Sequence, residues 1–442
     1  MKTGVSNLDL TAKNREIEIS HSWFPSEIMA VTVEMIEQAA ERLNGVVKQT
    51  PLELSKRLSE KYQSNIYFKR EDLQEVRSFK IRGAYNKIAA LSEEEKSQGV
   101  VCASAGNHAQ GVAYSCSALQ IKGTIFMPTI TPKQKVQKVK KFGDGWVDVV
   151  LVGETFDDSS AEAEKFLKQQ QCVFVHPFND DAVMAGQGTV GKEIYDQLGG
   201  KVDVVISSVG GGGLASGCMV FLKEKNPQMH YIGVEPAGAP AMYESLKSNR
   251  LVTLHDIDTF VDGAAVRRVG SLTFDLFRHY GVEVLTVPEG KVCTTMIELY
   301  QNDGIIAEPA GALPVAALDF AAYRLRGKTV VCIISGGNND ILRYPEIMER
   351  SLRYEGLKHY FMISFAQKPG QLRKFVEYVL GPDDDIVRFE YIKKTNAEQG
   401  PALVGVELAN RDDYPSLLTR MDEIGFNYRV ITDDDMFYKH LV

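Results

Sequence analysis

Lys80 is the residue around which the chemistry of this sequence can be arranged. It lies in Arg77-Ser78-Phe79-Lys80-Ile81-Arg82-Gly83-Ala84, after a small hydroxyl residue and a large aromatic and before Arg-Gly-Ala. Ile81, Ala84, Tyr85, Ile88 and Leu91 recur at helical spacing, so a helix runs on from the lysine. Taken alone, the amine reads more readily as a solvated charge at a helix start. Desolvated, it would lose its proton readily and condense with a carbonyl compound. That second reading demands two more parts from the chain: a cradle for a phosphate group and a polar partner for a ring nitrogen.

The cradle is offered by Gly210-Gly211-Gly212-Gly213-Leu214, which follows the apolar strand Asp203-Val204-Val205-Ile206-Ser207-Ser208-Val209 and precedes a helix expected near Ala215. Consecutive glycines let backbone N–H groups converge on one anion, and the following helix adds its positive end. No Lys-Ser/Thr pair closes the loop as in nucleotide P-loops, and the dinucleotide fingerprint is not spelled. A tight turn would need only one or two of these glycines. Ser104-Ala105-Gly106-Asn107-His108-Ala109-Gln110-Gly111 follows a second apolar strand and opens another helix. Small residues and an amide at such a junction can hold a carboxylate or a ring hydroxyl, although as a helix cap they need no ligand. Ser335-Gly336-Gly337-Asn338-Asn339 ends a third strand. In parallel sheets, ligands bind at the carboxyl ends of strands, so three polar, glycine-rich strand ends and one unusual lysine come from one unit.

The elements that must position these residues are short apolar runs alternating with helical patterns. Strands are expected at 65–69, 99–103, 123–127, 147–152, 172–175, 203–209, 230–234, 283–287 and 329–334, and helices at 32–43, 133–142, 161–170, 189–198 and 294–302. Strands that are apolar throughout and separated by helices indicate parallel sheets covered on both faces. The length of this α/β unit suggests two lobes with a cleft between them. After Gly356 the order becomes strand 359–366, helix 371–380, strands 386–393 and 401–408, helix 414–424 and strand 427–431. That is the ferredoxin-like split βαβ. The expected domains are an N-terminal extension over 1–28, a catalytic unit over 29–355 and a second unit over 356–442, with the charged helix near 344–354 as linker.

Composition narrows the function class. The 442 residues carry a formal net charge of −8, which argues against nucleic-acid or acidic-membrane partners, and no apolar run approaches a membrane span. Residues 1–20 are polar and lack the apolar core of a secretory signal. Six cysteines are scattered without a C-x-x-C pair, mostly inside apolar stretches, the pattern of reduced thiols in a cytoplasmic protein. No Cys/His cluster has zinc-like spacing.

Taken together, these segments resemble a family of pyridoxal-phosphate enzymes that includes serine dehydratase, serine racemase and the tryptophan synthase β chain. Within it the sequence is most similar to biosynthetic threonine dehydratases of the short form, with one ACT-like module. The resemblance runs from residue 50 to residue 442. It rests on Lys69-Arg70-Glu71-Asp72, the Ser78–Ala84 stretch, the segment 104–111, Gly210 to Leu214, Glu308-Pro309-Ala310-Gly311-Ala312 and Ser335-Gly336-Gly337-Asn338. It implies an α/β fold of two parallel-sheet lobes, like tryptophan synthase β, followed by an α+β ferredoxin-like domain.

Carried over residue by residue, the resemblance implies that Lys80 binds pyridoxal 5'-phosphate as an imine and later serves as general base. Phe79 would pack near the ring, Asn107 would hold the ring hydroxyl and Ser335 the pyridine nitrogen. The backbone of Gly210, Gly211, Gly212, Gly213 and Leu214 would hold the phosphate. Ser104, Ala105, Gly106, Asn107 and His108 would receive the substrate carboxylate. Ala105 stands where racemases carry a second serine, which counts against racemisation. Glu235-Pro236 resembles the start of the racemase divalent-cation site, but Ala241 replaces its later aspartate, so no metal is expected.

The implied reaction converts L-threonine to 2-oxobutanoate and ammonia, the first step of isoleucine biosynthesis, with L-serine as secondary substrate. The turn Pro369-Gly370 resembles the amino-acid-binding turn of ACT modules. Isoleucine is the expected inhibitor, valine its opponent, and the expected assembly a cytoplasmic homotetramer. A broader catabolic serine/threonine dehydratase and a non-catalytic amino-acid sensor are the alternatives.

Overall fold

Val204–Ser208 and Thr329–Ile334 have no polar face to leave in water, and both come to lie in the interior of one sheet. The computed structural model describes residues 31–391 and 398–432; the expected extension over 1–28 and the last two residues of the strand expected at 386–393 lie outside them. In chain order the strands are β1 (Leu52–Leu54), β2 (Asn65–Arg70), β3 (Val100–Ala103), β4 (Gly123–Met127), β5 (Val147–Leu151), β6 (Val173–Phe174) and β7 (Val204–Ser208). They continue as β8 (His230–Pro236), β9 (Glu283–Val287), β10 (Thr329–Ile334), β11 (Lys358–Ala366), β12 (Asp385–Tyr391), β13 (Gln399–Glu407) and β14 (Asn427–Ile431).

The larger lobe holds a sheet of order β1-β2-β10-β7-β8-β9, parallel except for β1, and the smaller lobe an all-parallel sheet β5-β4-β3-β6. Successive residues of β10 serve opposite faces. Val330, Cys332 and Ile334 join one core with Val204 and Ile206, while Val331 and Ile333 join the other with Val205. Helices therefore cover both faces, as apolar parallel strands require. All six cysteines are free and buried.

Three helices exceed their sequence expectation at the amino end, one of them Glu289–Asp303, expected from residue 294. Phe156–Gln170 begins before residue 161 because Thr155 and Asp158 form a capping box. Asp181–Gln197 begins before residue 189, across a run of glycines that lowers helix propensity by about 1 kcal/mol each relative to alanine. Close packing explains those glycines. A Cβ on Gly186 would come within 2.5 Å of the Arg82 carbonyl, and one on Gly188 within 2.9 Å of the Gly217 carbonyl. The helices Lys80–Ala89 and Gly213–Lys225 thus pack against this one backbone to backbone.

Four charges, three of them buried, fix the lysine helix to the larger lobe. Arg82 meets Glu71 with two hydrogen bonds of 2.8 Å and donates to Glu193 at 2.7 Å and Thr189 at 3.1 Å. Lys69 donates to Glu193, to the Thr50 carbonyl and to Gln197. Thr50 closes the circuit onto Glu71 at 2.6 Å. Burial opposes ionisation of Glu71, yet the Arg82 guanidinium outweighs it and holds the carboxyl below its ordinary range. Two cations and two anions leave the network neutral, which is the condition for burying such groups at all.

The last four strands form an antiparallel sheet of order β12-β13-β11-β14 with two helices, Gln371–Tyr378 and Tyr414–Ile424, around a core that includes Phe361, Phe375, Val404 and Leu417. The linker helix Tyr344–Tyr354 has a face in each domain. Ile347 belongs to the larger lobe's core, Ser351 bonds Thr294 at 2.9 Å, and Arg350 pairs with Asp258 at 3.0 Å. From the other face Glu349 pairs with Lys358 of β11, and Arg353 lies over the Tyr360 ring. Among the described residues no helix is long and apolar enough to cross a membrane.

Removing one partner from the four-charge network strands the others. Glu71→Ala is expected to lower unfolding stability by about 3–5 kcal/mol, whereas Lys192→Ala, at an exposed pair with Asp196, should cost under about 1 kcal/mol. Urea unfolding monitored on the larger lobe compares the two, and equal small losses would show that the network carries no such constraint.

Candidate active site

The polar strand ends gather at one edge. Residues 104–107 follow β3, 176–179 follow β6, 210–213 follow β7 and 335–338 follow β10. The start of the lysine helix is fastened to the last of these, since the Phe79 amide donates to the Ser335 carbonyl at 3.1 Å and Ser78 forms a bridge with Gly336. Arg77, just before, takes a left-handed φ of 56° to make the turn. Lys80 Nζ donates to the Pro177 carbonyl at 2.7 Å and lies 5.3 Å from the centre of the Phe79 ring. Burial pulls its pKa down to about 8, against the opposing pull of Glu308. The amine therefore loses its proton far more readily than a surface lysine.

The glycine loop is built tightly. Gly212 has φ of +95°, a conformation that suits glycine alone. A Cβ on Gly211 would lie 2.1 Å from the Phe178 ring. The Gly211 carbonyl accepts from Thr273 Oγ1 at 2.7 Å and from the Gly270 amide at 3.3 Å, so the loop is held from outside. The helix it opens runs Gly213–Lys225 rather than starting near residue 215. The Gly213 and Leu214 amides thus belong to a first turn whose N–H groups have no intrahelical partner.

Asn107 opens the helix Asn107–Leu119. Its Nδ2 donates to both carboxylate oxygens of Glu308, at 2.7 and 3.0 Å, and its Oδ1 accepts from Asn338 Nδ2 at 2.8 Å. Burial pushes Glu308 up to about 7. Ser335 is buried at the end of β10, and its oxygen accepts a long bond of 3.4 Å from Ser208 Oγ. Ser104 Oγ accepts from the Gly106 amide at 3.2 Å. A Cβ on Gly106 would meet nothing within 4 Å, so open space lies beside this turn, and Ala105 adds no polar group there. His108 sits in the same stretch, but its Nε2 is bonded to the Val175 carbonyl at 2.8 Å and burial drives its pKa down to about 3. The ring is neutral, so His108 can offer a carboxylate only its backbone amide.

Several residues of the site had no role assigned from sequence. Glu308 and Asn338 stand in segments that were singled out without a function for either. Pro177 and Phe178, which hold the lysine amine and wall the glycine loop, follow a strand only two residues long. The signal was present, since His176-Pro177-Phe178-Asn179 is a fourth polar strand end. Glu235 proves to be a helix cap: its oxygens accept the Met242 and Tyr243 amides at 2.7 and 2.8 Å, and burial raises it to about 8.

Comparison with known proteins agrees with this geometry. Residues 43–336 match the family model described as pyridoxal-phosphate dependent enzyme, and residues 349–441 match the C-terminal regulatory domain of threonine dehydratase. The biosynthetic L-threonine dehydratase IlvA of Halalkalibacterium halodurans is 53% identical over 412 residues, 93% of this chain and 99% of that one. That of Bacillus subtilis is 53% identical over 409 residues, 92% and 97% of the two chains. Among solved structures, processed threonine deaminase isoform 2 of Solanum lycopersicum matches with a TM-score of 0.68 at 38% identity, covering 72% of this chain and 94% of that one. Maize serine racemase matches with a TM-score of 0.68 at 30% identity, covering 74% and 99%.

The donor set fits pyridoxal phosphate. A half-buried, weakly basic amine suits its aldehyde, and a glycine loop at a buried helix start suits its phosphate. The Ser335 hydroxyl accepts from Ser208 while its own hydrogen is uncommitted, which suits a ring nitrogen bearing a lone pair.

The two shifted groups at Lys80 and Glu308 make the cofactor-free protein's stability depend on pH in a defined way. Glu308 rises from 4.5 to about 7, so the stability its neutral form contributes is complete below about 4.5 and is lost as pH rises through 7. Lys80 falls from 10.5 to about 8, so its contribution is present above 10.5 and lost as pH falls through 8. Glu308→Gln should remove the decline between pH 4.5 and 7, a change on the order of 3 kcal/mol. Urea unfolding across that range checks it, and an unchanged slope would place the proton on another group.

Proposed function

The chain belongs to the pyridoxal-phosphate-dependent enzymes, in their biosynthetic threonine dehydratase branch, and on that premise we propose that it converts L-threonine to 2-oxobutanoate and ammonia. L-serine is the secondary substrate, yielding pyruvate. The observation that carries this reading is the Lys80 amine, held against the Pro177 carbonyl and opening its helix against the strand end that bears Ser335.

Each residue has a distinct duty. Lys80 would hold the cofactor through its amine and would take the α-proton on Nζ; a pKa of about 8 leaves part of the amine free to do so near neutral pH. The backbone of Gly210, Gly211, Gly212, Gly213 and Leu214 anchors the phosphate. Asn107 would hold the ring oxygen, Phe79 would pack near the ring, and Ser335 would hold the ring nitrogen. Backbone and hydroxyl donors from Ser104 to His108 receive the substrate carboxylate. When bound, the cofactor supplies the electron sink for the charge left at the α-carbon. Ser335, a neutral hydroxyl donor, would hold the ring nitrogen without protonating it.

The catalytic unit occupies residues 29–355 and the regulatory unit 356–442. Isoleucine inhibits through the regulatory unit and valine opposes it, in a cytoplasmic homotetramer. The effector turn follows β11. Gly370 there has φ of +88°, so the backbone alone requires glycine, but a Cβ would meet nothing within 4 Å, leaving room for a small ligand. Gln367 Oε1, buried beside the turn, has no hydrogen-bond partner among the described residues.

In a keto-acid assay, L-threonine should be turned over faster than L-serine. Lys80→Ala should lower turnover roughly a thousandfold or more, and borohydride reduction of the wild-type holoenzyme should leave its pyridoxyl label on Lys80. A label on another lysine would overturn the assignment. For regulation, Gly370→Val should keep turnover in the absence of isoleucine but need about tenfold more isoleucine for half inhibition. An unchanged isoleucine response would move the effector site away from this turn.

A further inference from the structure

An asparagine amide has a donor end and an acceptor end of nearly the same shape, so its polarity must be set by its neighbours. Asn107 is set by a chain of contacts that begins outside the site. Asn338 Nδ2 donates to the Val76 carbonyl at 2.8 Å, and a carbonyl can only accept. Asn338 Oδ1 faces Lys138 Nζ at 3.4 Å, and an ammonium can only donate. Both ends of Asn338 are therefore pinned by groups with a single role. Its remaining N–H must point at an acceptor, which is Asn107 Oδ1 at 2.8 Å.

Asn107 is thereby forced to present Nδ2 to the Glu308 carboxylate. The two oxygens of one carboxylate subtend a much smaller angle than the two amide hydrogens, so a single N–H serves both. The second N–H is left without a partner among the described residues.

We propose that Asn338 is a positioning residue that fixes Asn107 as a donor toward the ring oxygen of bound pyridoxal phosphate and so holds that oxygen deprotonated. This rests on the reading that Asn107 faces the ring oxygen. A protonated ring oxygen would need an acceptor for its hydrogen, and Asn107 offers none on that side. An oxyanion receives a charge-assisted hydrogen bond instead.

The test is the absorption of the full-length holoenzyme without substrate, read as the ratio of the cofactor's visible band, from the deprotonated ring oxygen, to its near-ultraviolet band, from the protonated one. Asn338→Asp keeps the shape and, beside Lys138, stays ionised with acceptors only. Asn107 must then turn over and present its oxygen to the ring and to Glu308, which takes up a proton to meet it, and the ratio should fall about tenfold. Asn338→Ala releases Asn107 without reversing it and should lower the ratio less. A purely structural role predicts the opposite order, because alanine loses more packing than aspartate.

A wild-type ratio in Asn338→Asp overturns the inference, as does an alanine effect equal to or larger than the aspartate effect. If the aspartate variant does not fold, a wild-type ratio in Asn338→Ala overturns it. Loss of cofactor from both variants with native circular dichroism overturns it too, since a polarity device acts on a proton and not on retention. Asn107→Ala separates the premise from the inference. An unchanged ratio there removes Asn107 from the ring oxygen, whereas a changed ratio with Asn338→Asp like wild type refutes Asn338's part alone.

Discussion

Everything at this site depends on a lysine withdrawn from bulk water and held in one place, and the ion network behind it provides the second condition. Arg82 is two residues beyond Lys80 and is gripped by Glu71 on one side and Glu193 on the other. Rotating the helix to re-aim Nζ would break charge-assisted bonds in a medium that cannot replace them. Apolar residues of similar volume would often match or exceed such a network in stability. What they would not supply is direction, because packing tolerates small rotations that a two-bonded guanidinium does not.

The same withdrawal from bulk water shapes the acid–base balance. Lys80 and Glu308 are both driven toward their neutral forms by burial, the amine downward and the acid upward. A site with fewer permanent charges leaves the orientation of hydrogen bonds as its main electrostatic resource. The pairing of Asn107 with Glu308, and the uncommitted hydrogen of Ser335, belong to that economy of dipoles. Small backbone distances make it possible. Gly336 lies so close to Glu308 that a Cβ there would come within 2.3 Å of the carboxylate.

The strand pattern was legible in the sequence because buried parallel strands are apolar on both faces, as Val330 to Ile334 are. The lysine, the four glycines and Ser335 were legible because each breaks the ordinary composition of a strand end or helix start. Two kinds of information were not. The helix Asp181–Gln197 was foreshortened because its glycines look like breakers until the neighbouring backbones are seen against them. Glu308, Asn338 and the Glu71–Arg82 pair act through contacts between residues 11 to 231 positions apart, which no local pattern encodes. His108 shows the converse limit, since its place in a motif was plain while its neutral ring depends on a carbonyl from another strand.

The linker helix has a mechanical consequence. The Phe260 ring is clasped between the guanidiniums of Arg343 and Arg350, at 4.8 and 4.5 Å from its centre, and four residues later Ala264 abuts Gly210, where a Cβ would stand 3.1 Å from its Cα. Glu349 and Arg353 of the same helix engage β11. The regulatory sheet is therefore connected, through one helix and one aromatic ring, to the start of the glycine loop. A shift of that sheet would reach the glycine loop before it reached Lys80, whose helix is held separately by Arg82.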